Sequence, residues 1–452
     1  MPLAIVLILL VVATVLFHIL SPWWFTPIAS NWSMMDDTVK LTFWVTGVVF
    51  VAVNLFMAYA IVKFRHRKVA QTPLYKPEDN KLEWGLTVAT TVGVALLLTP
   101  GLFVWAKFVT VPSDATEVEV VGQQWNWSYR LPGKDGLLGA SDAALISADN
   151  PFGLDPKDPR GQDDVLVASP ELHLPVGKPV KILLRSRDVT HQFAVPQFRV
   201  KMDMVPGMVT YFWFTPTRVG SFNVLCEQLC GVAHFAMRGR VVVDDEPTYR
   251  AWLASQPTFA QTRAEVAGDP AAGAALYAVC SACHGAQGQG NPALNAPKLA
   301  HQASWYLARQ LRNFKAGVRG ADSRDTYGQQ MSPMAATLAD DTAIKNVVAY
   351  IASLPDERPA TTVHGNAARG ASLYTTCGAC HGTAGQGIWA TNAPRLAGMS
   401  DWYLARQLGN FQHGVRGAHA QDFSGAQMAQ LAAALRDERA VNDVVAYLGT
   451  LR

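Results

Sequence analysis

The sequence is short of charge. Only 16% of its 452 residues are Asp, Glu, Lys or Arg, while half are apolar, so part of the chain belongs in lipid. A net charge of +3 is too small to argue for nucleic-acid binding. Low-complexity tracts are missing too: Gly and Pro are frequent but dispersed, which excludes a long disordered segment. The length excludes a single domain of ordinary size and points to three or four folded units. Cysteine is scarce. The six that exist, Cys226, Cys230, Cys280, Cys283, Cys377 and Cys380, form three close pairs, each with a histidine just after it. None is left for a structural disulfide, the usual staple of small domains in oxidising compartments. These thiols read as ligands.

Three apolar runs fill the first 110 residues. Leu3 to Leu20 carries only His18, Leu41 to Val62 is 22 uncharged residues, and Trp84 to Ala106 is 23. Each is long enough to cross a hydrocarbon core, which takes roughly 20 helical residues. Lys63, Arg65, Arg67 and Lys68 follow the second run, so the positive-inside rule places that loop in the cytoplasm. The chain after the third run then lies on the outer side. The first run, in residues 1–35, lacks a positive leading region and reads as an uncleaved span, with a cleaved signal peptide as the alternative. Residues 36–110 read as a transmembrane hairpin.

From Thr116 to about Asp245, β-branched and aromatic runs alternate with Gly, Pro and Asp. The runs are Glu117 to Val121, Val180 to Leu184, Val209 to Phe214, Phe222 to Leu225 and Arg240 to Val243. Residues 111–245 are therefore expected to form a small β-sandwich or barrel. Gly133 to Asp164, with Asp149-Asn150-Pro151-Phe152-Gly153, interrupts it as a structured surface insertion; its carboxylates make cation binding the alternative. Residues 246–267 read as a linker with one short helix. Beyond it the chain repeats itself at an offset of 97 residues: Cys280, Cys283 and His284 return as Cys377, Cys380 and His381. Trp305 to Leu311 returns as Trp402 to Leu408, and Gln330-Met331 as Gln427-Met428. No gap is needed, so residues 268–356 and 365–452 are a duplicated, mostly helical domain.

In C-x-x-C-H, two thiols form thioethers to haem vinyl groups and the histidine is held under the iron. One copy is moderately specific, but two at matched places in a duplicated helical domain are strong. A redox C-x-x-C or half a zinc site is the weaker reading. The sixth ligand should lie later in each repeat. His284 to Met331 and His381 to Met428 both span 47 residues. Axial Met raises a haem potential, as suits an electron carrier. Met334 competes with Met331, but its counterpart is Leu431, which counts against it.

Cys226-Glu227-Gln228-Leu229-Cys230, then His234 and Met237, with His191 35 residues before Cys226, assemble thiolates, imidazoles and a thioether. That set suits copper. Two thiolates can bridge two copper ions, with one histidine terminal on each and Met237 and a backbone carbonyl as weak axial contacts. A mononuclear blue site would need one thiolate, and a disulfide would leave the histidines incidental.

These residues resemble the CuA motif of cytochrome c oxidase subunit II. Gly122 to Tyr129 is similar to that family's aromatic stretch, and Lys201 to Gly207 to its segment after the first ligand histidine. The resemblance covers residues 36–245. It implies a cupredoxin-like copper domain on a membrane hairpin, with Trp125 as the electron-entry tryptophan and the Gln228 carbonyl as a copper ligand. Glu83 falls where the family places a carboxylate near a proton entrance, although a carboxylate at a helix start is also ordinary dipole chemistry. Two departures stand out. Gln228 replaces a Glu that in the family helps hold a magnesium or manganese ion, so that ion is not carried over. Asn126 stands where an aromatic is common. The repeats resemble periplasmic dihaem cytochromes c of the class I fold.

The resemblance implies an electron-transfer subunit of a respiratory oxidase in a bacterial inner membrane. Two c-type haems would feed a dinuclear copper centre, and subunit I, with subunit III, would be the partner. The donor would be a reduced cytochrome or a quinol-dehydrogenase complex. A nitric-oxide-reducing haem–copper enzyme would use the same copper motif, so it stays open. A membrane-tethered copper chaperone has no need of two haem repeats.

Overall fold

A computed structural model describes residues 2–21, 26–65, 77–147, 150–263 and 268–451. Arg67, Lys68 and Asp149 lie outside them. Three helices, α1 (Pro2–Leu20), α2 (Ser33–Lys63) and α3 (Asn80–Val109), are long and apolar enough to cross a membrane. Their side chains are mostly exposed, as lipid-facing surfaces are. At the α3 start, Asp79 caps the Leu82 N–H, and the Glu83 carboxylate reaches back to the Asp79 N–H at 3.4 Å. This reciprocal capping satisfies donors that a helix start leaves open.

The β-domain is a sandwich of two five-stranded sheets. One is ordered β3 (Val165–Val167), β2 (Asn126–Leu131), β1 (Thr116–Gln123), β5 (Val180–Ser186), β8 (Thr210–Phe214). The other is ordered β4 (Glu171–Pro175), β10 (Arg238–Asp244), β9 (Gly220–Cys226), β6 (His191–Val195), β7 (Val200–Met204). All five runs expected from the sequence fall on strands, with β8 beginning at Thr210, one residue after Val209. Five strands went unread because they are short or polar.

Residues 26–32 were not read as part of this domain, yet they are built into it. Ala29 exchanges backbone hydrogen bonds with Gln197 and Thr217, and the buried Trp32 donates through its indole to the Trp213 carbonyl. The Trp32 ring meets Trp213 and Phe108 of α3 at 4.8 and 5.3 Å between centroids, tying hairpin to sandwich. Full burial of one such ring contributes about 1.5–3 kcal/mol.

The insertion between β2 and β3 is ordered by one buried cation. Arg130 binds Glu119 and Asp164 and donates to the Gly139 carbonyl and the Ser141 hydroxyl. Among the described residues, its carboxylates form no cluster able to hold a metal. The linker departs from expectation: it carries two helices, α4 (Glu246–Ser255) and α5 (Phe259–Arg263). Phe259 is buried among insertion residues, including Phe152 and Leu154, which a local reading of the linker could not anticipate.

Each haem repeat has four helices. The first holds α6 (Pro270–His284), α7 (Ser304–Lys315), α8 (Thr326–Ala336) and α9 (Asp341–Ala352). The second holds α10 (Ala367–His381), α11 (Asp401–Gln412), α12 (Phe423–Ala432) and α13 (Glu438–Leu448). First and last helices cross at Gly273 and Gly370, where a Cβ would collide with the Asn346 and Asp443 carbonyls. The two repeats grip each other reciprocally. Arg319 donates to the Tyr403 hydroxyl and Arg416 to the Tyr306 hydroxyl, while Arg309 reaches the Asn392 carbonyl and Arg406 the Asn295 amide oxygen.

A candidate copper centre and two haem sites

β9 ends on Cys226, and the loop after it folds back so that Cys230, His234 and Met237 face the same point as His191 at the start of β6. The Cys226 and Cys230 sulfurs lie 3.7 Å apart. A disulfide needs about 2.05 Å, so these thiols are not joined. Two thiolates on one ion, with bonds of about 2.3 Å at a tetrahedral angle, would stand roughly 3.8 Å apart. His191 Nδ1 is 3.9 Å from Cys226 Sγ, and His234 Nδ1 is 3.3 Å from Cys230 Sγ. Met237 Sδ is 3.8 Å from Cys230 Sγ, and the Gln228 carbonyl is 3.2 Å from Cys226 Sγ. The Gln228 side chain points into solvent. His191, Cys226 and Cys230 form the one His/Cys/acid cluster among the described residues that could hold a metal.

His191 is oriented from behind. Its Nε2 donates to Asp188 at 2.8 Å, and Asp188 in turn accepts from the Gln124 backbone N–H at 2.7 Å. Such a carboxylate fixes the tautomer and leaves Nδ1 for a metal. Burial works against charge on His191, but the bonds to Asp188 and Cys226 outweigh it and raise its pKa. The hydrogen bond between the Cys226 and Cys230 sulfurs draws the Cys226 pKa well below the usual thiol value and pushes Cys230 up. A metal ion would displace the proton the two sulfurs share. Sequence reasoning missed the roles of Asp188 and Gln124, although a carboxylate three residues before a ligand histidine is a usable signal.

Trp125 lies at the lip of this site. It is 4% exposed, and its indole donates to the Cys230 carbonyl at 3.1 Å. Its own backbone carbonyl accepts from Gln427 Nε2 at 2.5 Å, the residue just before Met428. Asn126 and Ser128 both donate to the Ala390 carbonyl at 3.1 Å. The half-buried Cys380 thiol also meets the Trp125 backbone. The second haem domain therefore sits on the start of β2 and on the turn before it that carries Trp125, and the polar Asn126 is one of the residues that bond it.

Each haem motif closes a helix, with Cys280, Cys283 and His284 at the end of α6 and Cys377, Cys380 and His381 at the end of α10. Nδ1 of His284 is 2.8 Å from the Pro297 carbonyl, and His381 makes the same bond to Pro394. Burial lowers both histidine pKa values, keeping the rings neutral, and the Nδ1–H bonds leave Nε2 for iron. Met331 and Met428 lie half-buried on α8 and α12. Arg309, Arg319 and Arg416 each keep one buried N–H without a partner. Such orphaned donors fit an anionic group such as a haem propionate. The donor set therefore fits haem in both repeats.

Residues 116–245 match the family described as cytochrome C oxidase subunit II, periplasmic domain, and residues 270–355 and 367–452 match cytochrome c. An alternative cytochrome c oxidase subunit 2 of Bradyrhizobium diazoefficiens is 61% identical over 260 residues, covering 58% of this chain and 94% of that protein. Cytochrome c oxidase subunit 2 of Thermostichus vulcanus is 48% identical over 135 residues, 30% of this chain and 32% of that one. Two solved structures are similar in part. The periplasmic domain of subunit II of a Bradyrhizobium japonicum cytochrome oxidase is 28% identical, TM-score 0.24, covering 32% of this chain and 96% of that one. Cytochrome c4 of Pseudomonas stutzeri is 29% identical, TM-score 0.34, covering 41% and 100%.

A thiolate-rich sandwich anchored by apolar helices and joined to haem-binding repeats defines a membrane-bound electron-transfer metalloprotein. The chain belongs to the cytochrome c oxidase subunit II family. Cytochrome c domains imply haem c, and the subunit II family implies copper.

Proposed function

We propose that the chain is the electron-feeding subunit of a terminal haem–copper oxidase in a bacterial inner membrane, with its copper and haem domains on the periplasmic side. Cys226 and Cys230 would hold a copper pair between them. His191, His234, Met237 and the Gln228 carbonyl complete its ligands. Cys280, Cys283, His284 and Met331 hold one haem c; Cys377, Cys380, His381 and Met428 hold the other. When bound, these groups would supply one-electron chemistry, and the residues that would hold them are arranged for delivery from the first haem domain to the second, to the copper site and on to subunit I, which reduces oxygen. Glu83, on the cytoplasmic end of α3, is a candidate for proton entry into that partner.

The observation that carries this reading is the position of Trp125, hydrogen-bonded to the Cys230 carbonyl on one side and to Gln427 on the other. Fusion of the haem domains replaces a diffusional encounter with one at high effective concentration. The test is to purify the full chain from a host that matures c-type haem and to measure copper and haem per chain, with an EPR spectrum of the oxidised copper. Two coppers sharing one unpaired electron, with two haems, support the wiring. One copper, or none with Cys226 and Cys230 joined as a disulfide, overturns it.

A further inference from the structure

The two haem domains also meet behind their histidines, and a buried cation sits at that seam. Pro297 and Pro394 offer the carbonyls that face Nδ1 of His284 and His381. The next residue in each repeat is basic, Lys298 in the first and Arg395 in the second. The Lys298 side chain is 1% exposed, and its ammonium has three acceptors for its three protons. Nζ donates to the Asp356 carboxylate at 2.5 Å, to the Glu357 carbonyl at 2.8 Å and to the Gly398 carbonyl of the second domain at 3.0 Å. The backbones interlock as well. Lys298 N–H donates to Ser400 Oγ, Arg395 N–H to Gln302 Oε1, and Gln302 Nε2 to the Arg395 carbonyl. Asp356, in the segment that joins the repeats, lies in the field of Lys298, His301 and Arg395 together.

We propose that the buried Lys298 charge sets the reduction potential of the haem sites, holding it higher than the same fold would without that charge. The inference rests on the haem-binding reading above. An ammonium is a costly way to join two domains, since an apolar side chain of similar volume commonly serves as well or better. What the ammonium adds is a positive charge in a place where water screens it little. One-electron reduction removes one positive charge from a haem site, so a fixed cation nearby favours the reduced form. Burial and the bonds around an axial histidine are levers on the same potential. Asp356 offsets only one of the two cations, Lys298 and Arg395, so the seam stays net positive. Asp356 is also 39% exposed, and water screens its charge more than that of the lysine. Lys298 follows the Pro297 carbonyl and bonds Gly398, four residues beyond Pro394, so its charge acts on both repeats. Lys298 stays protonated throughout and exchanges no proton with either site.

The test uses the full chain loaded with copper and haem, titrated with reductant and mediators in an optically transparent cell at one fixed pH. The mean midpoint potential of the haems is read from their visible absorbance, so neither haem has to be assigned. Wild type is compared with Lys298→Met, Lys298→Arg and Asp356→Asn. At the wild-type midpoint the ferrous-to-ferric ratio should fall about threefold or more in Lys298→Met. It should rise in Asp356→Asn, which keeps the shape and removes the opposing charge. It should hold in Lys298→Arg, since arginine is the cation that the second repeat carries at the matching place. A lysine that only fastens the seam gives another pattern, in which loss of either partner moves the potential the same way or not at all. Equal potentials in wild type and Lys298→Met overturn the proposal, as does a fall in both Lys298→Met and Asp356→Asn. Where Lys298→Met does not fold, a rise in Asp356→Asn with no change in Lys298→Arg supports the proposal, and any other result for that pair overturns it. A wild-type chain that takes up fewer than two haems overturns the haem reading and this proposal with it. A fully loaded chain whose potential ignores these charges overturns this proposal alone.

Discussion

Arg416 of the second haem domain donates to the Tyr306 hydroxyl of the first at 2.8 Å, and Arg319 returns the contact on Tyr403 at 2.6 Å. The crossed pair locks the two domains into one unit. A hydrogen bond to a charged donor contributes about 1.5–3 kcal/mol, and its loss leaves a buried guanidinium short of a partner. Tyr306→Phe combined with Tyr403→Phe should therefore uncouple the domains. Calorimetry is expected to resolve two unfolding transitions where the wild type shows one; a single unshifted transition would show that the interface is held elsewhere.

The proposed copper ligands separate into side chains and backbone. Gln228 offers only its carbonyl, and its side chain is exposed. Gln228→Ala should keep copper content and the EPR spectrum unchanged. Cys230→Ser removes a sulfur proposed to bridge and should leave at most one copper per chain, with a hyperfine pattern confined to a single nucleus. A Gln228→Ala variant that loses copper would contradict the backbone role.

Gly231 follows Cys230 with φ +116°. A Cβ there would lie 2.8 Å from Gln124 Nε2 and 3.1 Å from the Trp125 ring. Gly231→Ala should push both aside without removing a copper ligand. Copper content should hold, while copper reduction by the haems slows by about tenfold or more, since displacements near 1 Å have effects of that order. Trp125→Phe, which removes the indole donor to Cys230, should slow the same step. Unchanged kinetics in both variants would take Trp125 out of the path.

Much of this was legible in the residues because chemistry with strict spacing leaves a local mark. The C-x-x-C-H pairs and the Cys226–Met237 segment are short-range patterns and the 97-residue repeat is a constant offset; in the structure the Cys226, Cys230, His191, His234 and Met237 side chains lie within 3.9 Å of one another in a chain of contacts. Contacts made over long sequence separation were not legible. Nothing around Ala29 or Trp32 announces that residues 26–32 join the sandwich, because their partners lie beyond residue 190. The docking of the second haem domain was equally hidden, since Gln427 meets Trp125 from 302 residues away. The polar Asn126 read as a departure until Ala390 gave it a partner.

Asp401 gives a pH-dependent test of the joint between the haem domains. It is buried, and it accepts from the Thr362 and Val363 backbone N–H groups at 2.6 and 2.8 Å and from the Thr362 hydroxyl at 2.6 Å. Thr362 and Val363 belong to the segment that leads into the second repeat. Burial opposes the charge, but these bonds outweigh it and hold the carboxyl below its ordinary value of 3.8. A depressed carboxylate contributes stability that is fully present above its unfolded pKa and is lost as pH falls through the lower folded value. Asp401→Asn keeps the shape but turns an amide against one of those N–H groups, costing about 2 kcal/mol at neutral pH. Thermal melts of the second haem domain should show that gap at pH 7 and its narrowing below about pH 4, where the wild-type carboxyl begins to protonate. A gap that stays constant from neutral pH down to about 3 would mean that shape, not charge, holds the joint.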